Sequence, residues 1–552
     1  MKEFFQKERN KKIAYIFLLL IILSFGAFAR LWQLNEVPPG LHYDEAKNGL
    51  EAIEAAETGD YKFFYSGNNG GEGLYINMIS FFLEGLGVNN FSARIASALL
   101  GIFTLLGFYF LLTQLRLSKA TILIGVFLMA SSFWHINFSH TVYHGILAPF
   151  ILVWMLYVFI LGIKRNNCWL LALSGLLLGA GFHSSSLLWF APFIIIIIVV
   201  FFLFLKKDFL KKYWRGALVF LFSFVLAALP VFYYFYQNQD QLASRNDSVS
   251  IFNAPNMSAS QAFGKSLGAH LKAFYTLGDP NQRHNHASAP LIPPAWAALF
   301  TLGFIFSLKE IYQSIQNKLK EKKPNRLFLP ALTAQSVFWV MILPGLLNIE
   351  GLPHSLKIIG VIPAVMIFTA LPFEYILRLR RDIQTSETFT LKPRRFKALN
   401  VSLAGLALIV LLSGMMEFYT YYFVWAKEPR TFSSFERELY DLGKLIKEIE
   451  PAKNNYIIIP QSDYKNFDIR VSPAKKTSSL KTAEFAGHPE IKKFQYFRPV
   501  EALKKENLCN QAVLVFLDTG PALLGRFQEK CPESTAQKIA PKNGYFNFWV
   551  LR

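Results

Sequence analysis

Long apolar runs alternate with short basic clusters along most of the 552-residue chain. Runs such as IAYIFLLLIILSFGAFA (13–29), LLWFAPFIIIIIVVFFLFL (187–205) and LNVSLAGLALIVLLSGMM (399–416) are at or near the roughly 20 residues a helix needs to cross a bilayer. Lys and Arg gather at 2–12, 116–119, 164–165, 206–215, 309–326 and 378–397, which together hold 27 of the chain's 57. If each cluster faces the cytoplasm, every interval between clusters holds an even number of crossings, and two spans fit each. The interval 168–205 reads almost as one run, yet as a single helix it would be about 57 Å long, nearly twice the hydrocarbon core. It must turn back, and HSSS (His183 to Ser186) is the predicted turn. Five hairpins and a last span at about 399–421 predict about eleven transmembrane helices, with the N-terminus inside and the C-terminus outside. AFAR (27–30) resembles a signal-cleavage site, but the preceding run exceeds a typical signal core, and keeping the segment satisfies the parity.

Three outer segments are long enough to fold: 34–91, 237–292 and the tail from about 425. The first carries nine acidic residues and only Lys47 and Lys62 as cations. Within it DEAKNGLEAIEAAETG (44–59) predicts a helix ended by Gly59, and GLYINMISFFLEGLG (73–87) a second amphipathic stretch, both along the membrane surface. In the tail, NYIIIP (455–460), AVLVFLD (512–518) and YFNFWVL (545–551) predict strands and SSFERELYDLGKLIKEIE (433–450) an amphipathic helix. The expected organisation is a polytopic α-helical membrane domain over 1–424 and a small extracytoplasmic α/β domain over 425–552.

Composition agrees with a membrane class: 53% of residues are hydrophobic, 54 of them Phe. The net charge of +20 would suit nucleic acid if it lined one soluble face, but it is spent in clusters between spans, so no nucleic-acid partner is expected. Three cysteines are too few for a cysteine-rich metal site. Cys509 and Cys531 lie on the oxidising side of this topology, where a disulfide and two buried thiols are both open readings.

Four polar clusters could carry chemistry. Asp44 and Glu45, in HYDEA, lie just beyond the first span, where carboxylates are costly unless solvated, paired or needed for chemistry. They either open a helix, whose N-terminus favours negative charge, or supply a general base. LGDPNQRHNHASAP (277–290) crowds Asp279, Arg283, His284, Asn285 and His286 into the second outer segment. In GLPHSLKIIGVIPAV (351–365), His354 and Lys357 lead into a span; Lys357 reads either as a snorkelling anchor or as a functional cation. His140 and His144 are spaced i, i+4, but no acidic motif accompanies them and no metal centre is predicted.

HYDEA after the first span, GGEGLYINMISFFLEGLGVNNFSARIASALLGIFTLLGFYFL (70–111), GDPNQRHN (278–285) and PHSLKIIGVIPAV (353–365), in that order, resemble the GT-C glycosyltransferases of the protein O-mannosyltransferase and aminoarabinose-transferase type. The resemblance spans about 30–430. It implies transfer of a sugar from a polyprenyl-phosphate carrier to a protein, lipid or glycan acceptor on the outer face of the cell membrane. It matches Asp44 to the aspartate that activates the acceptor, Glu45 to its acidic neighbour, and Glu72 to the acid of a Gly-x-Glu-Pro-Leu stretch in which Gly73 replaces proline. It matches His354 and Lys357 to a Pro-His-x-x-Arg segment near the donor phosphate, with Lys for Arg, and puts His140 where relatives often carry Arg. Arg283, His284 and Asn285 complete the expected substrate-binding set. No cofactor is expected; a divalent ion is compatible with the acids but not predicted. The rival readings are a flippase for lipid-linked saccharide and a non-catalytic assembly or receptor subunit.

Overall fold

The computed structural model describes residues 2–67, 70–206, 208–239, 250–254, 256–385, 392–459, 480–506, 508–517 and 521–552. Part of the second outer segment and Pro460 and Asp518 of the predicted strands lie outside these residues. The chain forms two compact units.

The first unit, Met1–Trp32, Lys62–Tyr75 and Ala96–Trp425, is helical and membrane-spanning. Among the described residues nine helices are long and apolar enough to cross a bilayer. The pair Lys119–Ser131 and Phe133–Ser139, bent by 55°, supplies a tenth. The described residues thus offer up to ten spans where the sequence predicts about eleven; the stretch expected to cross after Cys168 forms a helix of only 14 residues, Cys168–Gly181, about 21 Å long and short of a full span. That helix ends where the sequence reading placed a turn, with the His183 and Ser184 amides donating back to the Ala180 and Gly181 carbonyls at 3.1 Å.

The short helix is held by close backbone approach. A Cβ at Gly175 would collide with the Phe220 carbonyl, and one at Gly179 would stand 2.7 Å from the Phe224 carbonyl oxygen. Lipid is as apolar as a leucine side chain, so span association depends on such packing between small residues. The opposite face of Phe209–Gln237 leaves Phe222 69% and Leu218 58% exposed, a surface suited to lipid and costly in water.

Residues of three of the basic clusters lie together. The buried Glu374 carboxylate accepts from the Ser118 amide at 2.8 Å and the Thr121 hydroxyl at 3.0 Å, and pairs with Arg378 and Arg381 at 3.2 Å. Lys164 donates to the Gln114 carbonyl. Arg378, Arg381, Lys164 and the segment at Ser118 therefore meet at one end of this unit.

The second unit joins Gln33–Tyr61 and Ile76–Ile95 to Ala426–Arg552, so the acidic first loop packs with the tail. The tail forms a five-stranded sheet. Strands β1 (Asn454–Ile458), β2 (Gln495–Phe497), β3 (Ala512–Phe516), β4 (Ala536–Ile539) and β5 (Phe548–Leu551) lie in the order β2-β1-β3-β5-β4. Pairs β1–β2 and β1–β3 are parallel; β3–β5 and β4–β5 are antiparallel. Strand β3 is buried throughout, and alternate residues feed two cores: Val513 and Val515 pack with Leu442 and Ile446 of helix Arg437–Glu448, while Leu514 and Phe516 pack with Leu524 and Phe527. Cys509 and Cys531 form a disulfide.

Candidate functional site

In the second unit, helix Tyr43–Thr58 begins at His42 and ends at Gly59, whose φ of 73° suits glycine. The His42 ring accepts from the Asp44 amide at 3.1 Å, while the Glu45 carboxylate accepts from the His42 amide at 3.0 Å. Glu45 is buried in this capping box. The Asp44 side chain is 31% exposed, with a carboxylate oxygen 3.3 Å from His42 Nδ1. The adjacent acids thus occupy different environments.

The approach to this helix is pinned from beneath. Buried Arg94 donates to the carbonyls of Leu34, Pro38 and Gly40 at 3.2, 3.0 and 2.5 Å, and Asn90 adds a bond to Gly40 at 3.1 Å. The tail holds the other side: Gly49 faces the Phe485 ring, and the Thr482 hydroxyl donates to the Leu41 carbonyl at 2.9 Å. Sequence reading gave Arg94 no role, because the carbonyls it gathers lie more than fifty positions away.

Glu72 lies in the first unit, in a two-stranded ladder opposite Phe64, and is buried. Gly73, where the resembling chains carry proline, donates its amide to the Phe63 carbonyl at 2.8 Å, and a Cβ there would collide with the Lys62 carbonyl. Proline would lack that donor and add bulk against the same carbonyl. Gly73→Ala is expected to lower the thermal unfolding midpoint in detergent, and Gly73→Pro to lower it further by losing a bond worth about 1 kcal/mol. Unchanged midpoints would mean the turn has another way to close.

The two polar loops of the first unit converge on Asp279. Its carboxylate is buried: Oδ1 accepts from the Asn281 amide at 2.8 Å, and Oδ2 accepts from the Ser355 amide at 2.7 Å and the Ser355 hydroxyl at 2.8 Å. His284 Nδ1 stands 3.2 Å from the same oxygen, and His354 Nδ1 stands 4.0 Å away. The His284 and His354 rings stack with centroids 4.9 Å apart. Burial pushes the Asp279 carboxyl up, but the His284 hydrogen bond, the two imidazoles and the Ser355 amide outweigh it and hold it below its usual range. Burial, then the neighbouring His284 and Lys357, hold the His354 imidazolium well below its usual range, against the pull of Asp279.

The supporting bonds are specific. His270 Nδ1 lies 2.9 Å from the Ser266 carbonyl, which can only accept, so Nε2 is the acceptor for the His354 amide at 3.2 Å. Arg283 donates to the Tyr143 hydroxyl at 3.2 Å and to Asn281 at 3.2 Å, and its carbonyl accepts from Asn137 at 2.8 Å. The Asn285 amide nitrogen donates to the Asp279 and Ala289 carbonyls, at 3.3 and 2.6 Å, and so closes the loop on itself. Lys357 is half-buried one turn after His354, whose carbonyl accepts its amide at 3.2 Å.

His140 is buried, with its ring edge-on to Tyr421 and Tyr422 and Nε2 3.3 Å from the Tyr422 hydroxyl. It caps helix Phe133–Ser139, whereas His144 begins a separate 3-10 turn, so no continuous helix presents the pair on one face. Asp279, Ser355 and His270 are the residues sequence reading left without roles.

Three solved structures align with this chain. ArnT from Cupriavidus metallidurans in the apo state aligns over 99% of this chain and 98% of its own, with 11% identity and a TM-score of 0.50. The same protein bound to undecaprenyl phosphate aligns over 97% of both chains, with 12% identity and a TM-score of 0.48. An Archaeoglobus fulgidus oligosaccharyltransferase tethered to an acceptor peptide aligns over 87% of this chain and 63% of its own, with 15% identity and a TM-score of 0.47. No family model and no curated protein matches the sequence. The likeness to apo ArnT concerns the fold: along nearly its whole length, this multi-pass membrane chain shares the fold of that structure.

Proposed function

We propose that the protein is a membrane glycosyltransferase that moves a sugar from a polyprenyl-phosphate carrier to an acceptor hydroxyl or amine on the outer face of the cell membrane. The observation that carries this reading is the division of labour at the start of one helix: Glu45 is taken up by helix capping, while Asp44, in the same first turn, keeps an accessible carboxylate just after a segment pinned by Arg94. A sugar phosphate ester already contains a good leaving group, so the protein has to orient and deprotonate the acceptor and stabilise the departing phosphate. Asp44 is assigned the base. Glu45 is a positioning residue, and Asn285 and Arg283 shape the loop that carries His284. Lys357 is assigned to the donor phosphate. The meeting of three basic clusters at one end supports a cytoplasmic N-terminus and an extracytoplasmic tail.

The fold shared with apo ArnT supports this chemistry by analogy. Transport is the second reading, favoured by the broken span at Lys119–Ser139, because carriers build substrate sites from interrupted helices. The deciding experiment presents the purified full chain with a panel of polyprenyl-phosphate sugars and acceptors. Release of polyprenyl phosphate coupled to glycosylation of the acceptor is the expected result. Carrier crossing reconstituted vesicles without glycosylation would overturn it in favour of transport.

A further inference from the structure

We propose that Asp279, His284 and His354 form a binding site for one divalent cation of the zinc class, with a coordination position left open. The three residues come from two loops of the same unit, and their ligand atoms all lie within 4.8 Å of one another. Two imidazole nitrogens and one carboxylate oxygen are a donor set suited to zinc, and three protein ligands leave room for a fourth from solvent or substrate. The site does not rest on the transferase reading, because binding requires only these side chains.

A hydrogen-bonded Asp–His pair would account for Asp279 and His284 without any metal. It does not account for His354. His354 Nδ1 is sealed from solvent and has no hydrogen-bond partner among the described residues, although it points toward Asp279 Oδ2 from 4.0 Å. Ligand atoms around a tetrahedral zinc stand about 3.4 Å apart, as bond lengths near 2.1 Å require. The Asp279–His284 separation of 3.2 Å is close to that spacing, and the His354 separation of 4.0 Å exceeds it by about 0.6 Å, a small ring movement.

The surroundings hold these ligands in place, as outer residues do at metal sites. Asn281 fixes one carboxylate oxygen and the Ser355 amide the other. The His354 backbone is fixed through His270, which is itself anchored on Ser266. A cation displacing the His284 proton from Asp279 Oδ2 would crowd that oxygen. The Ser355 hydroxyl has an alternative acceptor, the His284 carbonyl at 3.4 Å. Lys357 opposes the site electrostatically, and the anionic Asp279 offsets it.

The test uses chelator-stripped full chain in detergent and zinc alone. Elemental analysis after dialysis should find one zinc per chain, and zinc should raise the thermal unfolding midpoint. His354→Ala should weaken binding at least about a hundredfold, beyond the effect of losing an outer-shell partner, and abolish the zinc-dependent midpoint shift. X-ray absorption of the unaltered protein keeps the proposal testable even if that variant misassembles: it should give two imidazole nitrogens and a carboxylate oxygen at about 2.0–2.2 Å. The proposal is overturned by absence of stoichiometric zinc, by equal affinity in His354→Ala, or by a coordination shell lacking two imidazoles. None of these readouts depends on sugar transfer, so failure of the transferase reading would be seen separately.

Discussion

Asp44→Asn is expected to lower turnover at least about a hundredfold, roughly 2.7 kcal/mol of barrier, while leaving assembly and donor affinity close to normal. A positioned carboxylate base contributes on this scale because it accepts a proton as the acceptor oxygen or nitrogen attacks. Asparagine keeps the size and the hydrogen-bonding edge but cannot take the proton. If Asp44 served only the helix N-terminus, the same substitution would cost about 0.3–1 kcal/mol of stability and leave turnover intact. Glu45 provides the internal contrast. Its carboxylate closes the capping box with the His42 amide, a role glutamine can also fill, so Glu45→Gln should be mild. Glu45→Ala should lower stability by about 1 kcal/mol. Thermal midpoints and single-turnover rates for the three variants separate base from cap. Full turnover in Asp44→Asn would remove the base from the proposed mechanism.

Lys357→Gln is expected to lose roughly tenfold to a hundredfold in donor-dependent activity, while Lys357→Arg retains most of it. A charge-assisted hydrogen bond to phosphate contributes about 1.5–3 kcal/mol, and arginine supplies the same charge with a second donor. Lys357 is half-buried, and its charge is felt by His354, which places it at the polar cluster rather than on a lipid-facing surface. A span anchor would tolerate both substitutions alike, because a snorkelling side chain needs only reach and polarity. A donor titration locates the effect. Loss in apparent affinity means a contact made in the ground state, and loss in turnover means one formed as the phosphate departs. Near-normal kinetics for Lys357→Gln, with insertion verified, would take it out of the site and leave Arg283 and His354 as the phosphate candidates.

The elements that were legible in advance are those governed by short-range pattern. The return at HSSS followed from length alone, since a helix over 168–205 would overrun the bilayer. The tail strands Ala512–Phe516 and Phe548–Leu551 lie within the predicted runs and Asn454–Ile458 begins one residue before its own, because each is a compact apolar stretch beside turn residues. Two short partners, Gln495–Phe497 and Ala536–Ile539, carry too little apolar signal to announce themselves and exist because neighbouring strands offer unpaired backbone edges. The candidate site divides in the same way. Its loops stood out as polar islands among apolar runs, but Asp279 was left without a role although it is the centre on which His284, His354 and Ser355 converge.

Sequence by itself determined that the chain spans a membrane repeatedly, roughly where each crossing lies, and which polar segments stand outside the apolar runs. These follow because the bilayer acts as a uniform solvent, and residues sort into it by composition and length regardless of their distant neighbours. Tertiary structure decided that Glu45 is a cap while Asp44 stays accessible, that Gly73 must be glycine, that Arg94 gathers the loop before Asp44, and that Asp279 meets Ser355 from 76 positions away. Each of those outcomes depends on a directional contact to a particular atom, and a buried donor or acceptor finds its partner only when the chain has folded back on itself.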